Sequence, residues 1–132
     1  MGTFTGLEEA REFFKGDRFA ATNGMEIEEL GEDTVVCSMT LNEDHRNAYG
    51  GVMGGVIFTL ADFAFAVLSN HIHRLTVAQQ VSVNYLAAPK GDRLRARAVL
   101  KKTGRSSTIV NVDVTDDTGR DILQFVGTGF KL

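Results

Sequence analysis

The spacing of apolar positions changes three times along this chain, and each change marks a switch between helix and strand. LEEAREFFKG, residues 7–16, has the pattern of a short amphipathic helix closed by glycine, predicted over 7–15. MEIEELGEDTVVCSMTL then reads as two strands meeting at a turn near Gly31, with Val35, Cys37, Met39 and Leu41 on one face. A polar loop, NEDHRNAYGG, leads to a helix predicted from about Gly54 to Ile72. That helix is apolar on all sides, as a helix wrapped by protein should be. Period two then returns: Val81, Val83 and Tyr85 alternate before APKGD, and Leu94, Ala96, Ala98 and Leu100 before TGRS. Val110, Val112 and Val114 alternate before DDTG, and a last strand runs to the C-terminus. Two strands, one buried helix and an antiparallel meander predict an α+β fold, a sheet with one face wrapped on a central helix. One small sheet leaves so apolar a helix under-covered, so a partner subunit is expected.

Composition narrows the class. The 132 residues suit a single domain over 1–132, and no repeat or Pro-rich linker divides them. The net charge of −3 favours neither nucleic acid nor an anionic membrane as a partner. Cys37 stands alone, so no intrachain disulfide forms, and the N-terminus lacks the basic start and apolar core of a signal peptide. A cytoplasmic location is expected. The stretch from Ala48 to Ser69 is long enough to span a membrane, but its glycines and Asp62 near its middle argue against insertion.

Asp62 is the charge that needs explaining. An ionised carboxylate removed from water is costly unless it is paired, shifts its pKa or is put to use. One reading is structural, a buried aspartate bonded to a nearby hydroxyl such as that of Thr59. The other is chemical. GGVMGG leads into the helix, and a helix N-terminus offers free backbone N–H groups that suit an anion or a polarised carbonyl oxygen. Glycines there let a ligand approach the backbone, although tight packing of loop on helix asks for the same residues. Asp62 lies roughly 12 Å along the helix from Gly54, too far to serve a group held at its own helix start. A site with the helix N-terminus from one subunit and the carboxylate from another resolves the mismatch, which predicts a dimer.

The run Asn47-x-x-Gly50-x-x-Met53-Gly54-Gly55, with Asp62 following after six residues, resembles the signature of the hotdog-fold thioesterases, most closely the PaaI-like acyl-CoA thioesterases. The resemblance continues through VSVNYLAAPKGDRLRARAVLKKTGRSSTIVNVDVTDDTGR and covers nearly everything from about Met25 onward. It implies a hotdog fold and hydrolysis of an acyl-CoA thioester by a homodimer assembled into a dimer-of-dimers tetramer. No metal or redox cofactor is implied, since coenzyme A is part of the substrate. By resemblance, the Gly54 N–H polarises the thioester carbonyl, Asp62 is the nucleophile or the general base, and Asn47 orients the water or the carbonyl. Gly50, Met53 and Gly55 fall at substrate-binding positions, and Lys101, Lys102, Gly104, Arg105 and Ser106 sit near a turn that resembles the family's CoA-contacting loop. Two departures stand out. Met53 replaces the family histidine, and Ala78 replaces a serine or threonine beside the carboxylate, for which Gln79, Gln80 or Thr76 would have to substitute. The rival functions are a non-catalytic acyl-CoA binder, which Met53 favours, and a hotdog dehydratase or hydratase, which Met53 disfavours.

The remaining candidates are weaker. Arg93, Arg95 and Arg97 alternate with apolar positions and belong on a solvated strand face. His71 and His73 form H-x-H without a third ligand at a telling spacing, so a role at the helix C-terminus is favoured over metal binding. His45 reads as a loop histidine near the mouth of the site, and Cys37 as packing.

Overall fold

The structure is a computed structural model that describes residues 2–132. Two short helices, α1 (Leu7–Phe14) and α2 (Arg18–Thr22), precede β1 (Glu26–Leu30) and β2 (Thr34–Thr40). A single 3₁₀ turn at Glu43–His45 opens the loop into α3 (Gly54–Ile72), and β3 (Thr76–Tyr85), β4 (Arg93–Thr103), β5 (Ser107–Asp116) and β6 (Asp121–Lys131) follow. The predicted elements are all present. The helix α2 is the addition: five residues, RFAAT, are too few to show a helical period.

The strands form one antiparallel six-stranded sheet in the order β1-β2-β4-β5-β6-β3. The long connection through α3 carries the chain from β2 across the sheet to the far edge, where β3 pairs with β6 alone. Val35, Cys37, Met39, Leu94, Ala96, Ala98, Val110, Val112, Val114, Leu123 and Phe125 are buried in the core against α3. This is the hotdog arrangement that the sequence resemblance implies. Small residues let helix and sheet approach: a Cβ on Gly127 would lie 2.8 Å from the Phe65 ring. By length and composition α3 is apolar enough to cross a membrane; here the sheet packs along it.

The cover is incomplete on one side. Gly55 is exposed, and Thr59, Asp62 and Ala66 are half-buried. At spacings of four, three and four they form one stripe along α3. On another side Phe63 meets the edge of Phe14 from α1, with ring centroids 5.8 Å apart. The arginines of β4 do lie on the opposite, polar face, where Arg93 reaches Ser38 and Glu28, and Arg95 reaches Glu29.

Candidate active site

The loop before α3 is organised by its own side chains. His45 is buried, its Nδ1 accepts from the Asn42 N–H at 3.0 Å, and its carbonyl accepts from the Met53 N–H at 2.9 Å. It therefore shapes the loop from inside rather than lining an open mouth. The Asn47 side-chain oxygen accepts from the N–H groups of Tyr49 (3.0 Å) and Gly51 (3.1 Å). Only its amide donors are left to meet a ligand. Gly50 has φ 82°, a left-handed conformation that side chains resist.

This loop delivers a bare helix terminus. Met53, the N-cap residue, makes no side-chain cap bond, and the Val56 N–H closes on the Met53 carbonyl at 3.0 Å. The N–H groups of Gly54 and Gly55 have no acceptor among the described residues, as expected for the first turn of a helix. Met53 itself is exposed. A Cβ on Gly54 would lie 3.2 Å from the Tyr85 ring, and the Tyr85 hydroxyl donates to the Gly54 carbonyl at 3.0 Å.

Asp62 makes no hydrogen bond or ion pair to any described residue. The Thr59 hydroxyl, its nearest candidate partner by sequence, donates instead to the Gly55 carbonyl at 2.7 Å, so the purely structural account of Asp62 loses its partner. Burial, with the charge of Asp17 adding, holds the Asp62 carboxyl above the usual carboxylate range. Asp17 is a neighbour the sequence reading missed. It is the N-cap residue of α2 but makes no cap bond, and only the packing of α2 on α3 brings it near.

The predicted residues are spread along α3 rather than gathered within one chain. Gly54 stands at the helix start and Asp62 roughly 12 Å on. Of the basic group, Lys101 and Lys102 stand near the end of β4 rather than in a loop, and Gly104, Arg105 and Ser106 form the β4–β5 turn. The group lies beyond the far end of the helix, roughly 27 Å from Gly54. His73 fixes that turn to the helix end, its Nε2 2.8 Å from the Gly104 carbonyl. Lys101, Lys102 and Arg105 are exposed and make no ion pair among the described residues. On β3, Gln79 sits at a register shift, exposed and without a side-chain bond among the described residues, while Gln80 donates to the Ser82 hydroxyl at 3.1 Å. Thr76 is buried and tied to Asn70 and His73, so of the three proposed substitutes Gln79 is the free one. An open cavity of about 380 Å³ between α1, α2 and β1 is lined by Phe14, Met25, Ile27 and Phe63 with Arg11 and Lys15; neither Gly54 nor Asp62 lines it.

His71 is buried at the end of α3, stacked on Phe4, with its Nδ1 3.4 Å from the Phe4 N–H. Burial foremost, with nearby positive charge that includes Arg74, lowers its pKa. Burial likewise pushes the Cys37 thiol far up, with the Glu28 charge adding, which leaves it unreactive.

Comparison with known proteins converges on one group. The sequence pattern of the Thioesterase superfamily matches residues 49–123. A candidate esterase of Archaeoglobus fulgidus is 31% identical over 120 residues, covering 90% of this chain and 78% of that protein. The acyl-coenzyme A thioesterase PaaI of Escherichia coli is 25% identical over 126 residues, 95% of this chain and 90% of its own length. A structure of Escherichia coli PaaI superposes with a TM-score of 0.88 at 23% identity, over 93% of this chain and 90% of that one. A hypothetical thioesterase from Streptococcus pneumoniae, solved with coenzyme A, gives a TM-score of 0.81 at 30% identity, over 89% of this chain and 94% of that one.

Proposed function

This chain belongs to the thioesterase superfamily as a PaaI-like hotdog thioesterase, and from that premise we propose that it hydrolyses an acyl-CoA thioester at a site shared by two subunits. The observation that carries the proposal is Asp62: a half-buried carboxylate without a side-chain partner among the described residues, on a stripe of α3 that these residues cover incompletely. A two-fold axis that sets two α3 helices antiparallel brings the Asp62 of one subunit toward the bare helix start of the other. It also brings the basic loop at the far end of one helix nearer the thioester held at the start of the other.

In this site the N–H of Gly54 binds the thioester oxygen, where negative charge develops as the carbonyl carbon is attacked. Asp62 either removes a proton from the attacking water or attacks the carbonyl carbon itself to form an anhydride that water then opens. The C–S bond breaks, the thiolate takes up a proton, and the products are the free acid and coenzyme A. The Asn47 amide donors orient the water or the carbonyl, with Gly50 and Gly55 keeping the approach open, and Met53 packs against the acyl group. Gln79 and Gln80 line the strand side. Lys101, Lys102 and Arg105 meet the phosphates of coenzyme A, in the turn formed by Gly104 and Ser106.

The test is free-thiol release from a panel of acyl-CoA thioesters, followed by complementation. Asp62→Asn and Gly54→Val proteins are each expected to be inactive as homodimers. Heterodimers of the two carry one intact and one doubly altered site, so re-association should restore activity. No recovery, with heterodimers confirmed by mass, rules out the shared site.

A further inference from the structure

Tyr85 ends β3, and it is more than half exposed, so its hydroxyl is free to bond water. It donates instead to the carbonyl of Gly54, in the first turn of α3. Its ring occupies the space a side chain on Gly54 would need, 3.2 to 3.3 Å from a Cβ placed there. A side chain at 54 would thus press on the Tyr85 ring as well as on any ligand. Register holds the tyrosine in place, since it pairs with Leu123 of β6.

The peptide unit makes this bond consequential. The Gly54 carbonyl and the Gly55 N–H belong to one rigid plane and point in opposite directions. A donor that fixes the carbonyl also fixes the N–H, and by polarising the amide it makes that N–H a stronger donor. No side chain caps the first turn. Besides the helix's own bonds, it is held by the Thr59 hydroxyl on the Gly55 carbonyl and by Val56 on the N-cap carbonyl. Tyr85 adds the one side-chain donor from outside the helix among the described residues. We propose that Tyr85 is a positioning residue of this site: its hydroxyl holds the peptide between Gly54 and Gly55, so that the Gly55 N–H stands beside the Gly54 N–H as a second donor to the thioester oxygen. The proposal rests on the thioesterase site described above.

The test measures kcat and KM of the intact oligomer for Tyr85→Phe, Gly54→Ala and the double variant, with an acyl-CoA that the wild-type protein hydrolyses. Tyr85→Phe keeps the ring and loses the donor, so kcat should fall about fivefold, the equivalent of ~1 kcal/mol, with KM within about twofold. The methyl group of Gly54→Ala displaces the ring, so its loss should also appear in kcat, and the double variant should be no slower than Gly54→Ala alone. Wild-type kcat in Tyr85→Phe, or losses that multiply in the double variant, overturns the role of Tyr85. Wild-type kcat in Gly54→Ala overturns it independently, even if Tyr85→Phe fails to fold. Absence of thiol release by the wild-type protein instead removes the thioesterase reading, and this inference falls with it.

Discussion

Two aspartates in this molecule sit out of bulk water and have opposite environments. Asp116, at the turn between β5 and β6, accepts from the N–H groups of Lys90 (2.8 Å), Gly91 (3.1 Å), Thr118 (3.0 Å) and Arg120 (3.1 Å) and from the Thr118 hydroxyl. Burial works to raise its pKa, but these bonds outweigh it and hold the carboxyl far below the usual range. Asp62, on α3, has no side-chain donor among the described residues, and burial together with Asp17 raises its pKa. One carboxylate is a staple that ties the β3–β4 connection to the β5–β6 turn. The other is left without a side-chain partner among the described residues. The difference lies in the supply of donors around each, not in the residue type.

The largest effect expected from this contrast is on turnover. Asp62→Asn should keep the fold and bind acyl-CoA but lose at least ~10²-fold in kcat, as removal of a nucleophile or general base commonly does. Near wild-type turnover in the purified variant would break the contrast. The same kind of change at the staple should act on stability instead. Asp116→Ala leaves several backbone donors in the turn without their acceptor, so the thermal midpoint should fall by roughly 5 to 10 °C, as for a loss of about 2 kcal/mol. The gap should shrink in strong acid. A depressed pKa stabilises the fold above the unfolded value, about 3.9, and that contribution disappears as pH falls through the lower folded value. An unchanged midpoint at pH 7 would show that water replaces the staple without loss.

Met53 asks how much of the chemistry rests on the helix start rather than on Asp62. A thioether donates no hydrogen bond, whereas histidine does. Met53→His should keep the fold and raise kcat by about tenfold or less, or alter acyl preference, since one neutral hydrogen bond is worth ~1 kcal/mol. A larger gain would mean that the helix start, not the carboxylate, limits the wild-type protein. The smallest effect is the reverse of the one at Asp116. The raised Asp62 pKa favours the neutral form in the folded protein, so its stabilising contribution is present below about pH 3.9 and is lost as pH rises through the folded value. Asp62→Asn should therefore melt slightly above wild type at pH 7, with the difference vanishing near pH 3. A lower midpoint at pH 7 would show that the assembled protein gives Asp62 a partner.

The sequence determined the elements and pointed to one of these aspartates. Alternation in TVVCSMT and in STIVNVDVTD is a local property, set by which faces of a strand meet the core, and each became a strand of the sheet. Asp62 was legible because a lone charge in an apolar helix violates a local rule. Asp116 was not, because DDTG reads as an ordinary turn and its donors Lys90 and Gly91 lie 26 and 25 residues away. Tyr85 was read only as one apolar position among three; its bond to Gly54 spans 31 residues and depends on the crossover that carries β3 to the sheet edge. His45 looked like a loop residue and is a buried organiser: its bonds to Asn42 and Met53 are local, but its burial is set by the fold. Periodicity records what a residue does with its chain neighbours, so it yields strands, helices and the odd charge among them. Which donors surround a carboxylate, and which ring rests on a glycine, depends on contacts between distant segments, and only the folded chain decides those.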